Sequence, residues 1–139
     1  MLHTEAGAQA PEAVKLCFQM GLSPGQIIVC HADRQASDFT PHEEIARLGV
    51  YLDYDTIGRF KYHSDEAEIA LIRHMVDKGW GDQLMLALDT TAQRLTSYGG
   101  EIGLCYLLDV FFPKLLVAGF CKEEIDAFSV KNCRRLFEG

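Results

Sequence analysis

Four short apolar runs in this chain each end at a side chain able to hold a metal ion. They are Leu2 before His3, Ile27 to Cys30 before His31, Val50 to Tyr54 before Asp55, and Leu84 to Leu88 before Asp89. Where strands and helices alternate, the strands run parallel and their C-terminal ends open on one face, so four such ends converge in space. Two imidazoles and two carboxylates then share one mouth. Borderline divalent ions such as zinc accept imidazole nitrogen and carboxylate oxygen, and a catalytic centre leaves one position for water. The chemistry expected from this pattern is metal-dependent hydrolysis.

The segments between those residues have to position them. After His3, Pro11 and Glu12 open a first turn, and Val14, Cys17 and Phe18 form the apolar stripe of a helix closed by Gly21. Gln26 to His31 reads as a buried strand. Thr40, Pro41 and Glu43 have capping-box spacing for a short helix ending at Gly49. Val50 to Asp55 is strand-like, and Ser64, Asp65 and Glu66 start a helix whose Ile69, Ile72 and Val76 share a face. Gln83 to Asp89 supplies the fourth strand. Ile102 to Ala118 reads as a helix interrupted at Pro113, and Lys122 to Phe137 as one or two closing helices.

Composition narrows the class. A chain of 139 residues, 48% hydrophobic and 24% charged, makes at most one globular domain. The formal net charge of -7 repels phosphate backbones, so nucleic acid is not an expected partner. No apolar stretch reaches membrane-spanning length and no secretion signal opens the chain, so no membrane is expected and the cytoplasm is the expected compartment. Five cysteines without a CxxC pair suit neither a disulfide framework nor a zinc knuckle. They read as reduced, mostly buried thiols, with Cys30 nearest the proposed site.

The strand ends recur 28, 24 and 34 residues apart, the lengths of successive strand-helix units. The fold class expected is α/β, a TIM-type (β/α)8 barrel of which residues 1–139 form the last four units as a single partial domain. A half barrel leaves two open parallel edges and an apolar face without its complement. Completion by an N-terminal half, a homo-oligomer or a truncated gene is therefore expected.

The strings His3-Thr4-Glu5-Ala6-Gly7, His31-Ala32-Asp33-Arg34, Tyr54-Asp55-Thr56-Ile57-Gly58 and Leu88-Asp89 resemble the C-terminal half of phosphotriesterase-related proteins of the amidohydrolase superfamily. Lys131 to Phe137 is similar to that family's final helix. Each motif alone is weak, but four in order across the whole chain are specific. The resemblance implies a two-metal hydrolase working through a metal-activated hydroxide, zinc being the expected ion. Its metal ligands here would be His3, His31 and Asp89, with Asp89 also the catalytic base and Asp55 supporting from outside the ligand set. The family's first-strand His-x-His pair and fourth-strand lysine have no counterpart, so one ion or none is expected in this chain. Asp33-Arg34, Ile57-Gly58 and Lys61-Tyr62 look similar to lactonases, some acting on phosphorylated sugar lactones. A small ester or lactone is thus the implied substrate, and Arg34, Lys61, Tyr62, Arg94 and Tyr98 are its candidate contacts, with Arg59 nearby in the same loops.

Each assignment has a plainer counterpart. His3 taken singly is a surface histidine, His31 could bond a backbone carbonyl, and Asp89 before Thr90 could cap a loop. His42, His63 and His74 read as solvated, and Phe111, Phe112, Phe120, Phe128 and Phe137 as helix-to-barrel packing. Two non-catalytic alternatives stand beside the hydrolase: an inactive fragment that self-associates or complements an N-terminal half, and a simple zinc-binding scaffold.

Overall fold

A computed structural model describes residues 1–138. Strands β1 (Leu2–His3), β2 (Ile28–Cys30), β3 (Tyr51–Tyr54) and β4 (Leu84–Leu86) form one sheet in the order β1-β2-β3-β4. All pairings are parallel, with Leu2 opposite Val29, Cys30 opposite Asp53 and Tyr54 opposite Leu86. Helices α1 (Ala10–Gln19), α2 (Thr40–Ala46) and α3 (Asp65–Asp77) cross over between successive strands. The ladders are shorter than the apolar runs, so His31, Asp55 and Asp89 fall just beyond the strands in the loops of one sheet end.

Alternation along the strands sorts the side chains onto two faces. Val29, Leu52, Tyr54, Leu84 and Leu86 pack against Val14 of α1, Ile45 of α2 and Leu71, Ile72 and Met75 of α3, all buried. Each such side chain contributes roughly 1.5–3 kcal/mol by leaving water. All three crossover helices therefore cover the same face. The opposite face carries Ile28, Cys30, Tyr51 and Met85, also buried, because Cys133 and Leu136 of the last helix lie against them. The apolar face expected to be bare is thus partly covered by the chain's own C-terminus. A cavity of about 470 Å³ remains there, lined among others by Asp53, Met85, Leu136 and Phe137.

Capping follows the sequence in one case and departs from it in another. Ser64 Oγ accepts the Ala67 N–H at 3.3 Å and caps α3 as its position implies. Thr40 instead lies inside α2, and its own N–H donates to Asp38 Oδ1 at 2.9 Å. Phe39 is the cap residue, and Asp38 accepts the first helical N–H in place of a capping hydroxyl.

The break at Pro113 is a wide turn over Leu107–Phe111, closed by the Phe112 N–H on the Leu107 carbonyl, just ahead of a residue with no N–H to give. Helix α4 (Phe112–Val117) follows, then α5 (Lys122–Asp126), a second wide turn over Ala127–Lys131, and α6 (Asn132–Glu138). Buried Asn132 donates from Nδ2 to the carbonyls of Gly81 at 2.9 Å and Leu84 at 2.6 Å, which fastens α6 to the start of β4. Phe111 and Phe128 are core residues, whereas Phe137 is 84% exposed and is not packing. All five cysteines are free thiols, but Cys105 and Cys121 are exposed, so the mostly buried set expected from sequence is not what forms.

Candidate metal centre at the strand ends

Parallel pairing of β1 with β2 sets His3 beside Cys30, one residue before His31. The Thr4 hydroxyl donates to the Cys30 carbonyl at 2.7 Å and accepts the Gly7 N–H at 3.0 Å, fixing the loop that leaves β1. His31 has φ of +63°, a left-handed backbone costly for a residue with a Cβ. The outcome is that His31 Nε2 and His3 Nδ1 lie 2.9 Å apart.

Asp55 decides the state of His31. Its Oδ1 lies 2.6 Å from His31 Nδ1, and both side chains are buried. A carboxylate there accepts the Nδ1–H, which leaves the Nε2 lone pair pointing at His3. Burial pushes the Asp55 carboxyl upward, with the His31 hydrogen bond opposing it. Two imidazole nitrogens converging in this way fit two positions of a borderline divalent ion.

Asp89 does not join them. It also has positive φ, +40°, and its Oδ2 lies 2.7 Å from Arg59 Nη2, which bonds its carbonyl oxygen too. Contacts thus join His3, His31 and Asp55 in one chain, while Asp89 is paired with Arg59.

The proposed substrate contacts divide in two. Arg34 pairs with Glu5 at 2.7 Å and stacks 5.3 Å from the Tyr62 ring centroid, with Lys61 Nζ 4.5 Å from the same ring. Those three form one cluster. Arg94 donates to the carbonyls of Leu88 and, at 3.1 Å, Ile57, tying the loop after β4 to that after β3. Tyr98 is 72% exposed in a separate turn.

Several contacts escaped the sequence reading. Cys30 Sγ lies 3.8 Å from Asp53 Oδ2 on the inner sheet face; burial raises the thiol to about 12 and the carboxyl to about 7. Of the histidines expected to be solvated, His42 is buried, and His63 and His74 are half-buried and paired. His42 is buried between the Gln35 carbonyl at 2.8 Å and the Tyr54 hydroxyl at 3.0 Å, and His74 pairs with Glu43 at 2.8 Å. The His63 residue is half-buried, with its ring 5% exposed and set among Thr56, Asp33 and Glu68. Only pairing across elements reveals them, since on their own helices and loops they sit among polar neighbours.

A parallel strand-helix sheet with paired imidazoles at its C-terminal mouth is the arrangement of barrel metallohydrolases. The sequence profile of the phosphotriesterase family matches residues 1–137, and the chain belongs to that family. It is similar to the phosphotriesterase homology protein of Escherichia coli K12, 29% identical over 136 residues covering 98% of this chain and 46% of that protein. It is also similar to the human N-acetyltaurine hydrolase, 28% identical over 144 residues covering 95% of this chain and 41% of that one. Among solved structures, a lactonase from Listeria monocytogenes superposes with a TM-score of 0.90 at 30% identity over 97% of this chain and 43% of that chain. The Escherichia coli protein, solved with phosphate in its active site, superposes with a TM-score of 0.87 at 30% identity over 94% and 44%. The chain spans less than half the length of these relatives, and its sheet corresponds to part of their barrels.

Proposed function

We propose that residues 1–139 supply the C-terminal half of a metal-dependent hydrolase that opens a small ester, most directly a lactone, once an N-terminal half completes the barrel. The observation that carries this reading is the 2.9 Å approach of His31 Nε2 to His3 Nδ1, with Asp55 fixing the His31 tautomer. The 30% identity to a Listeria lactonase supports the choice of substrate, and the N-acetyltaurine hydrolase relatives fit the same attack on an acyl carbon.

His3 and His31 would hold the ion, zinc by its donor set. Bound there, a divalent ion would supply a water of lowered pKa and polarise a substrate carbonyl. Asp55 keeps the His31 lone pair aimed. Asp89, if freed from Arg59, would be the carboxylate available as a further ligand and as acceptor of a proton from water. Arg34, Lys61 and Tyr62 present two cations and a phenol to the acyl or anionic part of the substrate, while Arg94 and Tyr98 shape the loop on the other side. Among the described residues no helix is long and apolar enough to cross a membrane, and the free thiols suit the cytoplasm.

The test is co-expression with the N-terminal half of a complete relative, measuring bound zinc and turnover of a lactone series. Turnover lost in His31→Ala supports the reading. Zinc without turnover would leave a scaffold, and neither would leave a non-catalytic fragment that pairs through its sheet edges.

A further inference from the structure

We propose that Asp33, His63 and Glu68 form a second divalent-cation site, sharing no ligand with the histidine pair. Asp33 lies in the turn after β2, His63 in the loop before α3, and Glu68 on the inward side of the first turn of α3. The turn after β2 and the start of α3, about 30 residues apart, thus bring two carboxylates and an imidazole together beneath the loops that carry Arg34 and Tyr62. One ligand atom from each lies within 4.8 Å of the others.

The hydrogen bonds specify what must lie between them. His63 Nδ1 is 3.2 Å from the Ser64 carbonyl, an acceptor only, so Nδ1 carries a proton and Nε2 of the neutral ring is a bare lone pair. That lone pair faces Glu68 Oε2 at 3.3 Å and Asp33 Oδ2 at 3.9 Å. Three acceptors pointing at one another repel unless a positive charge sits among them. The Thr56 amide and hydroxyl donate to Asp33 Oδ2 at 2.6 and 2.7 Å, and the Thr56 hydroxyl lies 3.1 Å from His63 Nε2, so its single proton is already committed to Asp33.

A proton on Nε2 is an incomplete solution. Shared with Glu68 Oε2 it would leave one net negative charge buried, with Asp33 Oδ1 and Glu68 Oε1 still without partners. Asp33 and Glu68 are both 0% exposed, so bulk solvent does not reach them, and burial raises both carboxyls. A dication balances both carboxylates and takes the Nε2 lone pair. Bonds of about 2.0–2.1 Å at tetrahedral angles separate ligand atoms by roughly 3.3 Å, the spacing of His63 Nε2 and Glu68 Oε2. One nitrogen with two carboxylates suits zinc or manganese. Such an ion would stitch the loops after β2 and β3 to α3, holding the rim of the mouth in place.

Zinc titration of the full chain carrying His3→Ala and His31→Ala isolates this site from the proposed catalytic one. About one equivalent should still bind, raise the melting temperature, and be lost on chelation. Adding Glu68→Gln or His63→Gln should weaken it at least tenfold. In the unsubstituted chain, zinc should shift the His63 ring-nitrogen resonances, a readout that needs no variant to fold. No zinc in the double variant, unchanged affinity in folded Glu68→Gln and His63→Gln chains, or His63 resonances unmoved by zinc would overturn the site. None of these outcomes bears on whether His3 and His31 serve a hydrolase.

Discussion

Arg59 Nη2 lies 2.7 Å from Asp89 Oδ2 and joins the loop after β3 to the end of β4. Asp89 is exposed, so this pair is worth no more than about 1 kcal/mol. On the proposed reading, Arg59 would compete with a metal ion at His3 and His31 for the carboxylate. Arg59→Gln should free Asp89 and tighten zinc at His3 and His31 by up to about fivefold, measured by competition with a chelating dye. In an Asp89→Asn background the same substitution should change nothing.

Asp55 acts on the centre through His31. In Asp55→Asn the side chain no longer favours the Nδ1–H tautomer, so zinc affinity should fall about 10–100-fold with the secondary structure intact. Isothermal titration beside circular dichroism checks both halves of that statement. A loss of structure equal to the loss of affinity would make Asp55 a folding residue instead.

Asp53 gives an inverted pH response. Burial first, then the neighbouring Asp55 and Asp33 charges, raise its carboxyl from 3.8 to about 7. The folded state therefore binds the proton more tightly than the unfolded state. The resulting stability is fully present below about pH 4 and is lost as pH rises through 7. Above that the ionised group costs the fold of order 2–4 kcal/mol. Asp53→Asn should raise the melting temperature at pH 8, and the gain should shrink by pH 5. A gain equal at both pH values would show that the carboxyl is not perturbed.

Asn132 holds the C-terminus to the sheet through its two carbonyl contacts at 2.9 and 2.6 Å. Asn132→Ala leaves both carbonyls short of a donor inside the fold and should cost about 2–3 kcal/mol in urea unfolding. Because α6 lies over Ile28, Tyr51 and Met85, the variant should also bind a hydrophobic dye more strongly than the parent.

Residue order alone determined much of this protein. Apolar runs at strand-helix spacing dictated a parallel α/β sheet, since side-chain periodicity and short polar connections leave few other ways to bury those runs. The same runs marked His3, His31, Asp55 and Asp89 as strand-end residues, and the motifs around them carried the family resemblance. Tertiary structure decided what those residues do to one another. His31 turns its Nε2 toward His3 because Asp55, 24 positions away, takes the other nitrogen. Asp89 turns aside because Arg59 reaches it from another loop. Half-buried His63 and buried Glu68 and Asp33 look like ordinary surface polar residues along the chain; only the packing of α3 against two loops brings them together. Local pattern fixes where a side chain begins, whereas its protonation, partner and solvent depend on atoms contributed from elsewhere in the fold.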